Sequence, residues 1–161
     1  MAISVGDKLP EATFKEMTAD GPANVSSADL FGGKTVVAFA VPGAFTPTCH
    51  AKHVPGFLDK LEELKAKGVD DVACIAVNDV FVMNAWSRDT GGKDKIRFLS
   101  DGNAEFTKAI GLDFDASGAG LGIRSRRYAM LVKDGVVKAL NIEDAPGKAD
   151  ISSAENLLKA L

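Results

Sequence analysis

The residues best suited to chemistry lie in the segment 41–50, which reads VPGAFTPTCH. Cys49 stands where an apolar strand pattern gives way to an amphipathic helix pattern, so its sulfur falls in the first helical turn. Unpaired backbone N–H groups and the positive end of the helix dipole favour an anion at that position. Because a cysteine acts as a nucleophile in its thiolate form, the sequence predicts that Cys49 is reactive.

Three other residues of this segment favour a preorganised pocket around the sulfur. Thr46 precedes Cys49 by three residues, which places its hydroxyl one helical turn away, where it can donate to a thiolate. Pro42 and Pro47 restrict the backbone on both sides and shield the sulfur from water. The alternative is structural, because cysteine is frequently a small buried core residue and proline frequently marks a strand-to-helix turn.

A βαβ unit surrounds this segment. Residues 35–41 and 72–77 are short, almost wholly apolar runs, as in parallel strands buried on both faces. Between them, apolar residues at three- and four-residue intervals predict an amphipathic helix that ends near Lys67, where Gly68 can adopt the left-handed conformation. Pro55 lies inside this helix and has no N–H to donate, so we predict a kink there.

The remaining elements complete an α/β fold. Asp79 can cap a helix, Asp134-Gly135 is a hairpin signal between two strands, and Ser152 or Ser153 can cap a final helix. A strand is also predicted at 96–99, a short helix at 104–110, and a flexible glycine-rich loop at 117–122. This order predicts a thioredoxin-like fold, a mixed central sheet with helices on both faces.

Composition limits the function classes. The chain has 161 residues, of which 46% are hydrophobic and 25% charged, and we expect one domain covering residues 1–161. Its 19 basic and 22 acidic residues are interspersed, which argues against a nucleic-acid partner. The sequence shows neither a secretory signal nor an apolar run of the roughly 20 residues that span a bilayer. We therefore expect a cytoplasmic protein with no membrane partner and with reduced cysteines.

The segment 42–49 also matches the Pro-x-x-x-Thr-x-x-Cys signature of peroxiredoxins, and its surroundings resemble the atypical type II or peroxiredoxin-5 branch. Val80 departs from the branch, which often has proline after Asn-Asp, and this should affect a helix start and leave the chemistry unchanged. The further segments that agree with the branch are VGDKLP at 5–10, HVPGF at 53–57, VND at 77–79 and RRYAMLV at 126–132.

The resemblance implies a thiol peroxidase that reduces hydrogen peroxide and organic hydroperoxides through a sulfenic acid. In that scheme Cys49 is the peroxidatic cysteine, Thr46 supplies a hydroxyl contact, Pro42 shields the sulfur and Arg127 holds the thiolate. No bound cofactor is required. Glutaredoxin with glutathione, or thioredoxin, would return the cysteine to its reduced state, and the family suggests a homodimer. A redox-sensing or chaperone-like interaction protein on the same fold is the alternative.

Arg124 and Arg126 compete with Arg127 for the role of the arginine beside the sulfur. Arg127 stands directly before the aromatic Tyr128, as the family arginine does. Neighbouring residues on a strand point to opposite faces, so one of Arg126 and Arg127 should face inward. We favour Arg127.

Both histidines of the chain, His50 and His53, lie close to Cys49 in the sequence. His53 shares a helix face with Cys49 and could contact the site, but we favour a packed, hydrogen-bonded histidine. Cys49, His50 and His53 offer at most three metal ligands, so we expect no metal.

The second cysteine, Cys74, lies in the middle of a predicted strand, roughly 10 Å from the strand end near Cys49. A disulfide needs Cα atoms within about 7 Å of each other. We therefore expect Cys74 to be a core residue, not a resolving cysteine.

Overall fold

The structure, a computed structural model of the chain, describes residues 2–161. Two short turns of other helix types, a π-helical turn (Cys49–His53) and a 3₁₀ turn (Ser117–Ala119), accompany the main elements. The strands are β1 (Thr13–Thr18), β2 (Gly21–Ser26), β3 (Thr35–Val41), β4 (Asp71–Ala76), β5 (Arg97–Ser100), β6 (Asp113–Asp115), β7 (Ile123–Ser125), β8 (Tyr128–Lys133) and β9 (Val136–Ile142). The helices are α1 (Ser27–Phe31), α2 (Val54–Asp59), α3 (Leu61–Ala66), α4 (Val80–Asp89), α5 (Glu105–Ala109) and α6 (Ala154–Leu158).

Seven strands form one mixed sheet in the order β2-β1-β5-β4-β3-β8-β9. Strands β3, β4 and β5 run parallel, because helices connect them across the sheet. Strand β8 is antiparallel to β3 and to β9, and β1 is antiparallel to β2 and to β5. Strands β6 and β7 pair separately. The predicted thioredoxin-like arrangement is confirmed.

Strand β3 lies inside the sheet and divides two cores. Because successive side chains alternate between the faces, Val37, Phe39 and Val41 pack on the face covered by α2, α3, α4 and α6. The intervening residues of β3 pack on the face covered by α1 and α5. Both Cys49 and Cys74 belong to the first of these cores.

Local signals correctly located several element boundaries. The β8–β9 hairpin turns at Asp134 and Gly135, whose φ angles of 47° and 78° are the left-handed values that this tight turn requires. Asp79 caps α4 by accepting a hydrogen bond from the Val82 N–H, and Ser153 caps α6. Gly68, with φ of 95°, follows the end of α3 as predicted.

The helix after Cys49 differs from the single kinked helix that we predicted. In the π-helical turn, the Val54 N–H donates to the Cys49 carbonyl five residues earlier. Pro55 then falls in the first turn of α2, directly after this wide turn. A second interruption at Lys60 separates α2 from α3. We predicted a kink at Pro55. The structure instead has a wide π-helical turn before Pro55 and an interruption after it, at Lys60.

Two regions lie outside the predicted elements. The β1–β2 hairpin was not predicted, and the glycine-rich loop contains the 3₁₀ turn and connects β6 with β7.

Among residues 2–161, no helix has the length and apolar character that crossing a bilayer would take.

Candidate active site around Cys49

Cys49 lies just beyond the carboxyl end of β3, in the first turn of the helical segment that begins at Pro47. The chain reverses sharply before it, and Phe45 there has a φ of 65°, a left-handed value that is uncommon for a residue with a side chain. Cys49 itself is fully buried. The sulfur therefore sits in a fixed position at the start of a helix, as predicted.

Arg127 is the arginine that reaches the sulfur. It precedes β8, is 2% exposed, and its Nη2 donates to Cys49 Sγ over 2.9 Å. Its Nη2 and Nε also donate to the Pro146 carbonyl, at 3.0 and 3.3 Å. A charged donor at this distance stabilises a thiolate more than a neutral thiol.

The two competing arginines point elsewhere. Arg124 donates through Nε to the Leu121 carbonyl at 2.8 Å and through Nη1 to the Pro42 carbonyl at 3.3 Å. Arg126 donates to the Glu143 carbonyl at 3.4 Å. Arg127 is thus the one that faces inward.

His53 is buried beside Arg127, with hydrogen bonds on both ring nitrogens. Its Nδ1 lies 3.0 Å from Arg127 Nη1, and its Nε2 lies 2.9 Å from the Ser152 carbonyl oxygen. A guanidinium can only donate, so Nδ1 accepts, and Nε2 carries the proton that is donated to Ser152. The ring also packs between Phe39 and Phe57.

This environment keeps His53 neutral. Burial is the largest cause and lowers the pKa of His53 to about 3, and the positive charge of Arg127 acts in the same direction against the opposing hydrogen bond to Ser152. His53 is the packed, hydrogen-bonded histidine that we favoured, and its contact with Arg127 places it one residue away from the sulfur.

Thr46 differs from the prediction. Its hydroxyl donates to the Gly43 carbonyl at 2.6 Å, within its own turn, so the proton is not directed toward the sulfur. The sharp turn after β3 explains this, because it brings the Gly43 carbonyl within reach of both the Thr46 hydroxyl and the Thr46 N–H. Pro42 is buried at the end of β3, where it can shield the sulfur.

Two neighbouring segments make hydrogen bonds to the residues just before Cys49, and neither contact was predicted from the sequence. Asn78 follows β4, and its Oδ1 accepts a hydrogen bond of 2.9 Å from the Ala44 N–H in the loop before Cys49. On the other side, Thr48 Oγ1 donates to the Gly147 carbonyl at 2.9 Å. Backbone carbonyls such as that of Gly147 leave no signal in a sequence.

Cys74 is buried in β4 opposite Phe39, and both thiols are free. Burial, reinforced by the nearby Cys49, raises the pKa of the Cys74 thiol well above its usual range. Cys74 therefore stays a neutral thiol packed in the core, as expected. Residues 2–161 contain no cluster of three or more histidine, cysteine or acidic side chains suited to a metal ion.

Comparison with known proteins places this geometry in a family. The redoxin family model matches residues 4–158. Peroxiredoxin-2E, chloroplastic, from Arabidopsis thaliana is 53% identical over 99% of this chain and 70% of its own length. The crystal structure of reduced Prx3 from Vibrio vulnificus in complex with H₂O₂ superposes with a TM-score of 0.93 at 49% identity, covering 98% of both chains. The chain belongs to the peroxiredoxins of the redoxin family.

A further relative agrees along nearly the whole length. Peroxiredoxin-2B from Arabidopsis thaliana is 46% identical over 99% of this peroxiredoxin and 98% of its own chain. The resemblance to the type II and peroxiredoxin-5 branch is therefore confirmed, and this peroxiredoxin is a thiol peroxidase.

Proposed function

We propose that Cys49 is the peroxidatic residue of this enzyme and that it reduces hydrogen peroxide and organic hydroperoxides. The observation that supports this most directly is the 2.9 Å contact from Arg127 Nη2 to the sulfur of Cys49. A buried guanidinium stabilises the thiolate before the reaction, and it can stabilise the charge that develops on the leaving oxygen during it.

The reaction has two halves. The thiolate attacks one peroxide oxygen, a sulfur–oxygen bond forms as the oxygen–oxygen bond breaks, and the leaving oxygen takes a proton to depart as water or an alcohol. Cys49 is then a sulfenic acid, oxidised by two electrons. A thiol condenses with it to a mixed disulfide and releases water, and a second thiol attacks that disulfide and returns the thiolate of Cys49.

A cysteine-to-serine substitution tests the role of Cys49. Serine is nearly isosteric but is not ionised near neutral pH, so Cys49→Ser should abolish peroxide consumption while leaving the circular dichroism spectrum unchanged. Turnover is followed with excess peroxide and glutaredoxin plus glutathione. Substantial turnover in the variant would refute the assignment, and wild-type consumption that stops after one equivalent would favour a redox sensor.

We further propose that the reductant is an external thiol, either glutaredoxin with glutathione or thioredoxin. The chain has two cysteines, and the second, Cys74, is fully buried with its pKa raised. A neutral, enclosed thiol is a poor nucleophile toward a sulfenic acid.

The part played by Cys74 is tested with Cys74→Ala, which avoids placing a hydroxyl in the apolar core. The variant should retain most of its turnover with saturating glutaredoxin and glutathione, because the external thiol resolves Cys49. Mass analysis of peroxide-treated wild type should show no internal disulfide. Loss of most turnover together with a Cys49–Cys74 disulfide would make Cys74 the resolving cysteine.

We also propose a homodimer in the cytoplasm. Helix α4 carries several large apolar side chains, of which Met83 and Trp86 are buried in the core, whereas Phe81 is 64% exposed and available to a second copy. Sedimentation of the wild type against Phe81→Glu would show whether this side chain contributes to association. The cytoplasmic location stays a prediction, which cell fractionation would test. One relative, 53% identical, is chloroplastic by name.

A further inference from the structure

Three residues around the sulfur donate hydrogen bonds to the same loop, residues 143–152 between β9 and α6. Arg127 donates to the Pro146 carbonyl at 3.0 and 3.3 Å, and Thr48 donates to the Gly147 carbonyl at 2.9 Å. His53 donates to the Ser152 carbonyl at 2.9 Å. The position of this loop therefore sets the position of groups on both sides of Cys49.

Glu143 closes the loop. Its side chain is buried, with 3% of the residue exposed, and its Oε2 accepts hydrogen bonds from the Ser152 N–H at 2.6 Å and the Ser152 hydroxyl at 2.7 Å. The other carboxylate oxygen, Oε1, has no hydrogen-bond partner among residues 2–161. Burying a carboxylate oxygen without a partner costs free energy, and the two hydrogen bonds that Ser152 donates to Oε2 offset part of that cost.

We propose that Glu143 is a positioning residue for the peroxidase reaction, acting through Ser152, His53 and Arg127 on Cys49. This inference rests on the proposed role of Cys49. Each link has a fixed direction, because Ser152 donates to Glu143, His53 donates to the Ser152 carbonyl, and Arg127 donates to His53.

The contact in this series that depends most on the loop is the one between the His53 ring and the Ser152 carbonyl. While the Ser152 carbonyl is held in place, the proton stays on Nε2, and Nδ1 is free to accept from Arg127. If the carbonyl moves away, Arg127 still keeps the proton on Nε2, but this N–H is left buried without an acceptor, so the ring would turn to follow the carbonyl. Nδ1 would then no longer be aligned with Arg127 Nη1, and the guanidinium would shift relative to the sulfur.

Two substitutions at position 143 distinguish the effect of side-chain length from the effect of side-chain charge. Glu143→Asp keeps the charge but is one methylene shorter, so it cannot reach Ser152 without moving the loop. Glu143→Gln loses the charge but keeps an acceptor oxygen at the same distance. We expect the oxidation of Cys49 by hydrogen peroxide to slow about tenfold or more in Glu143→Asp, as misplacement of a reacting group does. We expect Glu143→Gln to stay within about threefold of wild type, since the acceptor remains.

Oxidation is followed by stopped-flow fluorescence of Trp86, the single tryptophan, whose indole N–H donates to His50 next to Cys49. A second readout, ¹⁵N NMR of the His53 ring in reduced protein without peroxide, tests the chain of contacts directly. We expect the neutral form protonated on Nε2 in all three proteins, with the wild-type ring ¹⁵N shifts in Glu143→Gln and clearly changed shifts, which report altered hydrogen bonds of the ring, in Glu143→Asp. Asp144→Asn, at the exposed neighbouring position, should match wild type in both readouts.

A wild-type oxidation rate in Glu143→Asp would overturn the inference, as would a slow rate with an unchanged His53 signal. A Glu143→Gln variant as slow as Glu143→Asp would also overturn it, because charge would then be what matters. The NMR readout needs no peroxide, so a failure of the contact chain is distinguishable from a failure of the peroxidatic role, which Cys49→Ser tests.

Discussion

Arg127 and His53 are both buried next to each other, yet they carry different charges. A guanidinium keeps its proton at any ordinary pH, whereas the imidazole of His53, with a pKa lowered to about 3, is neutral. The pair therefore contributes one positive charge, held on Arg127 and directed at the sulfur of Cys49. A charged His53 would repel the guanidinium and could no longer accept its hydrogen bond.

Removing the arginine should slow the first oxidation step. Loss of a hydrogen bond to a charged group costs roughly 1.5–3 kcal/mol, so Arg127→Ala should react with peroxide about ten- to hundredfold more slowly than wild type. Alkylation of Cys49 by iodoacetamide at neutral pH should slow as well. Arg124→Ala, which removes contacts to Leu121 and Pro42 only, is the matched control. Equal losses in both variants would mean that Arg127 has no special role.

At the level of elements, the site depends on neighbouring strand ends. Strands β3 and β4 are parallel, so their carboxyl ends meet at one edge of the sheet, and Asn78 after β4 comes to lie beside the loop that leads to Cys49. Ser100, the last residue of β5, donates to the Asn78 carbonyl at 2.6 Å. Three consecutive strands of the sheet thus hold one loop in place.

Truncating Asn78 should loosen that loop. Asn78→Ala leaves the partly buried Ala44 N–H without a partner, which should lower the free energy of unfolding by about 1–3 kcal/mol and slow peroxide reduction. Asn78→Asp keeps an acceptor oxygen and should lose much less. Denaturant unfolding and the peroxide assay measure the two effects. If both variants behave alike, the contact to Ala44 does not stabilise the loop.

The βαβ unit, the Asp79 cap and the Asp134-Gly135 turn were predictable because each depends on a few adjacent residues. The β1–β2 hairpin was missed because it is short and mostly polar, with Phe14 as the one fully buried residue of the pair. Cys49 and Arg127 carry a sequence signature. The carbonyls of Pro146 and Ser152 do not, and Ser152 meets His53 across 99 residues of chain, so only the folded structure reveals them.

At the scale of the whole molecule, the buried His53 makes the free energy of unfolding depend on pH in the acid range. Its pKa is about 3 when folded and about 6.5 when unfolded, so between these values the unfolded chain binds a proton that the folded chain does not. This contribution to stability is fully present above pH 6.5 and is lost progressively as the pH falls toward 3.

The unfolding free energy should therefore drop by several kcal/mol between pH 6.5 and pH 3, on top of the loss common to all carboxylates. His53→Gln, which stays neutral, should show a clearly shallower dependence in denaturant titrations across this range. His50→Gln, at the half-exposed position of the second histidine, should keep the wild-type slope. Parallel curves for wild type and His53→Gln would contradict the prediction.

The hydrogens of the Arg127 guanidinium can be counted one by one. Of its five N–H groups, one meets the Cys49 sulfur, one meets His53 and two meet the Pro146 carbonyl, so one on Nη1 has no partner within residues 2–161. An incoming peroxide can therefore gain one hydrogen bond from Arg127 without displacing any existing contact. A lysine at this position would carry the same charge, but its three N–H groups could not serve all four contacts and a peroxide as well.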